Sequence, residues 1–89
     1  MERKKPVHKV LQDCLGQIIS SRRKRLGMSQ DELADESGVD RAFISSVERG
    51  QRNPSFRTIA SIAHGLRMKF ARLVHNCEQC SDDTNKKAS

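Results

Sequence analysis

Two sets of residues in this 89-residue chain carry side chains able to do chemistry, and they point in different directions. The first is His75-Asn76-Cys77-Glu78-Gln79-Cys80, a Cys-x-x-Cys with a histidine two residues before it, ligand types that a soft divalent metal accepts. A structural zinc site takes four ligands, usually as two separated pairs. Here the second pair is missing, and only Cys14, His8 or His64 is left to complete a shell. No metal and no other cofactor is assigned; free or buried thiols at a helix end are expected instead. The second set is Gln30, Arg41, Ser45, Ser46, Arg49, Arg52, Asn53 and Ser55, a run of guanidinium, amide and hydroxyl groups. Such groups bind anions and orient hydrogen-bond acceptors. The sequence offers no Ser/His/Asp set, no carboxylate pair and no Gly-rich phosphate loop, so catalysis has no candidate residues and the chain is not read as an enzyme.

Charge gives the second set its direction. Seventeen Lys and Arg against eleven Asp and Glu leave +6, with a pI of about 9.7. That balance on so short a chain implies a polyanionic partner, nucleic acid before an anionic membrane surface. At 10.1 kDa and 35% hydrophobic residues, one domain with a small core is the expectation. Three Phe are the only aromatics, which disfavours a wide β-sandwich or barrel. The size excludes an enzyme with a deep pocket. No apolar stretch approaches the roughly 18–20 residues of a membrane span. The basic start is followed by no apolar signal region, because His8, Lys9, Gln12 and Asp13 interrupt it, so a cytoplasmic location is expected. Three cysteines, an odd number, argue against a disulfide framework and fit reduced thiols.

The elements that must position these groups read as helices throughout. Residues 1–10, broken by Pro6, are expected as a flexible basic arm. Leu11, Leu15, Ile18, Ile19 and Leu26 then fall at helical spacings, with Arg22 to Arg25 in the last turn and Gly27 as the stop. Ser29-Gln30-Asp31-Glu32 is a capping box that opens a helix of about two turns, ended by Gly38. Asp40 caps a third helix, Arg41 to Arg49, with Ile44 and Val47 inward and Gly50 as its stop. Ser55 caps a fourth, inward at Phe56, Ile59, Ile62, Ala63 and Leu66. A short fifth, Lys69 to Asn76, shows Phe70, Leu73 and Val74. Residues 81–89 are polar and expected to be disordered. The fold class is all-α, about five short helices over residues 11–80.

Two short helices joined by a glycine-containing turn make helix-turn-helix geometry. That geometry needs a small residue at Ala34, a turn residue at Gly38, and apolar Val39, Ile44 and Val47 to lock the pair. The stretches Gly27-Met28-Ser29-Gln30-Asp31-Glu32-Leu33-Ala34, Ser37-Gly38-Val39 and Ile44-Ser45-Ser46-Val47-Glu48-Arg49-Gly50 resemble the Cro/phage-repressor-like helix-turn-helix domains, over about Leu15 to Val74. Asp40 to Ser55 is similar to the short stand-alone regulators, including the controller proteins of restriction–modification operons. Those often follow the Arg with Thr-Tyr, where this chain has Ala42-Phe43, so no operator sequence is carried over.

The resemblance implies a lambda-repressor-like fold that binds a double-stranded DNA operator with its second motif helix in the major groove. With Ile44 and Val47 buried, the outward face of that helix holds Arg41, Ala42, Ser45, Ser46 and Arg49. Arg41 is the candidate guanine reader, Ala42 the candidate for a thymine methyl, and Ser45 and Ser46 lie beside them. A solvated surface arginine or a phosphate contact is the plainer reading of Arg41. Gln30, Arg49, Arg52, Asn53 and Ser55 are the candidate backbone contacts, although Asn53 and Ser55 also serve as ordinary loop and cap residues. The resemblance further implies a structural ion pair between Arg23 and Glu48. Domains of this kind commonly bind as two-fold dimers, and Leu66, Met68, Phe70, Leu73 and Val74 are the candidate seam, unless they close the monomer core. No small-molecule ligand and no membrane is implied. A phage-type or antitoxin-type repressor, and a protein-interaction module that keeps the fold without binding DNA, remain as alternatives.

Overall fold

The computed structural model describes residues 5–88. They form five helices, α1 (Val7–Arg25), α2 (Gln30–Ser37), α3 (Arg41–Glu48), α4 (Phe56–Gly65) and α5 (Phe70–Ala88), and the described residues include no strand. The caps read from the sequence are in place. Ser29 accepts from the Glu32 amide while the Glu32 carboxylate accepts from the Ser29 amide, both at 3.0 Å. The Asp40 carboxylate accepts from the amides of Ala42 and Phe43, and Ser55 accepts from Thr58. Gly38 ends α2 in the left-handed conformation, φ 73°, which a side chain would oppose. The core gathers Leu15 and Ile19 of α1, Leu33 of α2, Ile44 and Val47 of α3, Ile62 and Ala63 of α4, Leu66 and Leu73.

Four features depart from the sequence reading. The arm is helical from Val7 onward, because Val10, not Leu11, begins the buried stripe of α1. Lys9 Nζ also donates to the Gly50 carbonyl at 2.7 Å, tying the start of α1 to the end of α3. Residues 1–4 lie outside the described residues. At the other end, α5 does not stop near Asn76 but runs to Ala88, so the expected disordered tail is helical through that residue. The reason is a buried stripe, Leu73 followed by the small residues Cys77 and Ser81, at intervals of four. Ser89 lies outside the described residues.

The third departure is covalent. Cys14 and Cys80 are joined in a disulfide whose Cα atoms are 5.8 Å apart, while Cys77 is free and buried. An odd count argues against a framework of bridges, yet it leaves room for one bridge and one thiol. Helix α5 runs antiparallel to α1: Arg72 and Asn76 border the Ile18–Arg25 end, and Cys80 meets Cys14. Fourth, Phe56 is not inward. It is the first residue of α4, beyond the edge of the core, and is 74% exposed.

A close helix approach falls on a residue that the apolar pattern does not mark. A Cβ at Gly16 of α1 would sit 2.5 Å from the Val47 carbonyl oxygen and 2.6 Å from that of Glu48. The C-terminal turn of α3 therefore rests directly on the backbone of α1.

Candidate nucleic-acid interface

With Ile44 and Val47 buried, α3 presents Arg41, Ala42 and Arg49 to solvent, with Ser45 and Ser46 half-buried beside them. The polar groups of this face are braced locally. Arg41 Nε lies 3.3 Å from Oδ1 of Asp31 on α2, with both side chains exposed. Ser46 Oγ donates to the Ala42 carbonyl at 3.1 Å, and Arg49 donates to Ser45 Oγ and to Gln51 Oε1. A guanidinium has five N–H donors in a planar fork, so both arginines keep donors for an incoming acceptor. Gly50 follows with φ 72° and turns the chain away from the helix axis.

Behind this face a buried polar cluster fixes the angle of the motif. Arg23 of α1 meets Glu48 of α3 in a bidentate pair, Nε to Oε2 at 2.8 Å and Nη2 to Oε1 at 3.0 Å, with side chains only 11% and 8% exposed. The same guanidinium donates to the Met28 carbonyl at 2.8 Å, and Gln30 Nε2 donates to Glu48 Oε1 at 3.1 Å. One arginine thus joins the end of α1, the turn into α2 and the end of α3. Burial pushes the Glu48 carboxyl up, but the hydrogen bonds from Arg23 and Gln30 and the charges of Arg23 and Lys24 outweigh it, and the net effect is a lowered pKa. The hydrogen bond to Glu48 likewise raises Arg23, against burial. Gln30 belongs to this cluster as well as to the helix N-terminus, a link the sequence did not signal.

The candidate backbone contacts divide. Arg52 and Asn53 are exposed in the loop between α3 and α4, and the Arg52 guanidinium lies 5.8 Å from the centre of the Phe43 ring. Ser55 spends its hydroxyl on the α4 cap, accepting from the Thr58 amide at 3.1 Å and donating to Thr58 Oγ1 at 3.0 Å. The chain thus places Gln30, Arg41, Arg49 and Arg52 on the α2–α3 side, and Ser55 in a capping role.

The candidate dimer seam is corrected. Leu66 and Leu73 are 0% exposed and close the monomer core, so neither is available to a partner. Met68 packs half-buried against the same core. What remains is Phe70 and Val74, and Phe56 joins them: the rings of Phe56 and Phe70 pack at a tilt of 41° with centroids 4.5 Å apart, and Val74 is 37% exposed one turn further along α5. The signal for Phe56 was its place at the very start of a helix, where helical spacing no longer guarantees burial. His75 is exposed, Cys77 buried and Cys80 bonded to Cys14, so the Cys-x-x-Cys presents no pair of free thiols. No helix among the described residues is long and apolar enough to cross a membrane.

This geometry has close relatives. The helix-turn-helix family model HTH_3 matches residues 19–73. The HTH-type transcriptional regulator y4dJ of Sinorhizobium fredii is 33% identical over 67% of this chain and 78% of its own length. A Mycobacterium tuberculosis HTH-type transcriptional regulator, 42% identical over 60% of this chain, is longer, and the match spans 38% of it. Among solved structures, the restriction–modification controller protein C.AhdI from Aeromonas hydrophila superimposes with a TM-score of 0.67 at 39% identity, over 70% of this chain and 94% of that one. The controller protein C.Esp1396I, a tetramer in complex with its natural 35 base-pair operator, superimposes with a TM-score of 0.74 at 28% identity, over 80% and 93%. With the motif, its buried brace and these matches together, the chain belongs to the HTH_3 helix-turn-helix family.

Proposed function

We propose that this chain is a sequence-specific DNA-binding transcriptional regulator that binds a palindromic operator as a homodimer, with α3 in the major groove. The observation that carries the reading is the exposed face of α3, Arg41, Ala42, Ser45, Ser46 and Arg49, held at a fixed angle by the Arg23–Glu48–Gln30 cluster behind it. Arg41 at the N-terminal end reads a guanine through its free donors, with Asp31 keeping the guanidinium at the groove edge until base acceptors replace the carboxylate. Ala42 meets a thymine methyl, and Ser45 and Ser46 line the same path. Gln30, Arg49, Arg52 and Asn53 hold phosphates, which fixes register without reading sequence. The Phe56–Phe70–Val74 patch forms the seam between two copies. Two-fold symmetry then places the half-sites about 34 Å apart, or a multiple of that. The likeness to controller proteins supports a stand-alone cytoplasmic regulator that responds to its own concentration and catalyses nothing.

The test is selection of a binding site from random duplexes, followed by fluorescence anisotropy on the selected site and on a scramble across a salt series. A two-fold symmetric site bound at least about 10³-fold more tightly than the scramble is expected. Equal and steeply salt-dependent binding to both would leave only generic charge attraction and sink the proposal. Within the selected site, Arg41→Ala should relax one base position per half-site and cost about 1–3 kcal/mol there, whereas Arg52→Ala should weaken all sequences and flatten the salt slope by about one. Phe56→Glu should yield a folded monomer by analytical ultracentrifugation and a weaker operator complex.

A further inference from the structure

The function just proposed makes no use of the cysteines, yet two of them form the longest covalent link in the molecule. From His75 to Thr84 the buried residues of α5 are Cys77 and Ser81 alone. Both are small, and neither matches the anchorage that Leu73 gives the first half of the helix. The Cys14–Cys80 bond, closing 66 residues of chain, is therefore the principal tie between the distal half of α5 and α1. A polar helix with so little apolar anchorage does not hold itself in water, since short helices depend on docking for most of their stability.

We propose that Cys14–Cys80 is a thiol–disulfide switch: oxidised, it docks the distal half of α5, residues 77–88, on α1; reduced, it releases that segment. The partner is a dithiol reductant of the thioredoxin class. A thiolate of the dithiol attacks Cys80 Sγ, the more exposed of the two sulfurs, forming a mixed disulfide as the Cys14–Cys80 bond breaks. Cys14 leaves as a thiolate and takes a proton. The second thiol of the reductant then displaces Cys80, so two electrons and two protons reach the protein and the dithiol becomes a disulfide. Cys77 stays out of the exchange. It is buried, and that burial pushes its thiol up to about 11, so almost none of it is the reactive thiolate near neutral pH. The release propagates along one helix, because α5 also carries the half-buried Phe70 and the exposed Val74 of the apolar patch. Reduction accordingly weakens pairing of two copies and, on the function proposed above, operator binding.

The full chain, purified in air, decides the matter in three readouts. Alkylation of the denatured protein should add one adduct before dithiothreitol and three after it. Three adducts without reductant would overturn the proposal. In hydrogen exchange, the amides of residues 77–88 should exchange at least ten times faster in dithiothreitol-treated protein and in Cys80→Ser, while those of α2 and α3 hold their rates. Equal exchange in oxidised and reduced forms would overturn it as well, whatever the DNA data say. Operator affinity near the dimer dissociation concentration should fall about five-fold or more on reduction. Faster exchange with unchanged affinity would confine the bond to a structural role and overturn the switch. If neither form binds any selected duplex, the DNA function fails and the exchange rates still judge the release of α5.

Discussion

The α2–α3 motif and the α1–α5 flank are built by opposite means. In the motif, each boundary is written within four residues of where it occurs: Ser29 with Glu32 opens α2, Gly38 closes it and Asp40 opens α3. The helices are eight residues long, and three buried apolar side chains, Leu33, Ile44 and Val47, set them on the core. The flank pairs two nineteen-residue helices, and its defining contacts are remote in sequence: Gly16 beneath the carbonyls of Val47 and Glu48, and Cys14 bonded to Cys80. A motif that must present side chains to a rigid partner is specified by local chemistry. The flank that supports it is specified by close approach, which few side-chain types announce.

The sharpest way to break the comparison is to remove the point where the two regions meet. Glu48→Ala leaves the Arg23 guanidinium without its bidentate partner in a site where both side chains are about nine-tenths covered. A cost of about 3–5 kcal/mol in urea denaturation is expected, because the remaining charge stays uncompensated. A loss below about 1 kcal/mol would mean that the two regions are not coupled through this pair. The pair also sets a pH dependence. The folded pKa of Glu48 lies below its ordinary value, so the pair stabilises the fold above the ordinary glutamate range. That contribution drains away as the pH falls below the range and through the lowered folded value. Glu48→Gln should be less stable near neutrality and show a shallower acid limb than the wild type. An unchanged acid limb would assign the acid sensitivity to other carboxylates.

Next in size is Gly16→Ala. A methyl group there meets backbone oxygens rather than a flexible side chain, so α3 must shift as a unit. We expect about 3 kcal/mol of destabilisation. The surviving folded protein should show altered amide chemical shifts along α3 and weaker operator binding at an unchanged salt slope. If stability fell but the shifts of α3 did not move, the flank would have absorbed the change and the motif would be rigid without it.

These contrasts explain what was legible in the sequence. Ser29, Gly38, Asp40 and Ser55 act on amides or dihedrals beside them, so their types identify their roles. Ile44 and Val47 are inward because the short α3 has one apolar stripe, and the face opposite follows at once. Leu66 and Leu73 are apolar for the core alone, since a single apolar position does not tell burial in a monomer from burial in a dimer. Phe56 obeys the spacing of α4 yet stands at its first residue, where no core remains to receive it. The helix beyond Asn76 is invisible to patterning because its buried residues, Cys77 and Ser81, are small and mark no strong apolar stripe, and only their docking on α1 makes them inward. Gln30 reaches Glu48 eighteen residues away, a distance at which type and spacing no longer specify a hydrogen bond.

The smallest effect tests whether the flank would accept the local specification that the motif uses. Helix α4 ends in a left-handed residue, with the Met68 amide donating to Ala63 and the Arg67 amide to His64, but that residue is Arg67, φ 56°, and not glycine. A side chain in this conformation costs about 1–2 kcal/mol, part of which a glycine would return to the unfolded chain as added freedom. The carbonyls of Leu66 and Arg67, which accept from the Arg22 guanidinium, are backbone groups and survive the change. Arg67→Gly should therefore raise stability by about 0.5–1 kcal/mol, a melting shift of roughly 3–6 °C for a domain of this size, with operator affinity unaltered. A fall in melting temperature would mean that the Arg67 side chain holds the α4–α5 junction by contacts of its own. The flank would then depend on specific side chains even where backbone geometry favours a glycine.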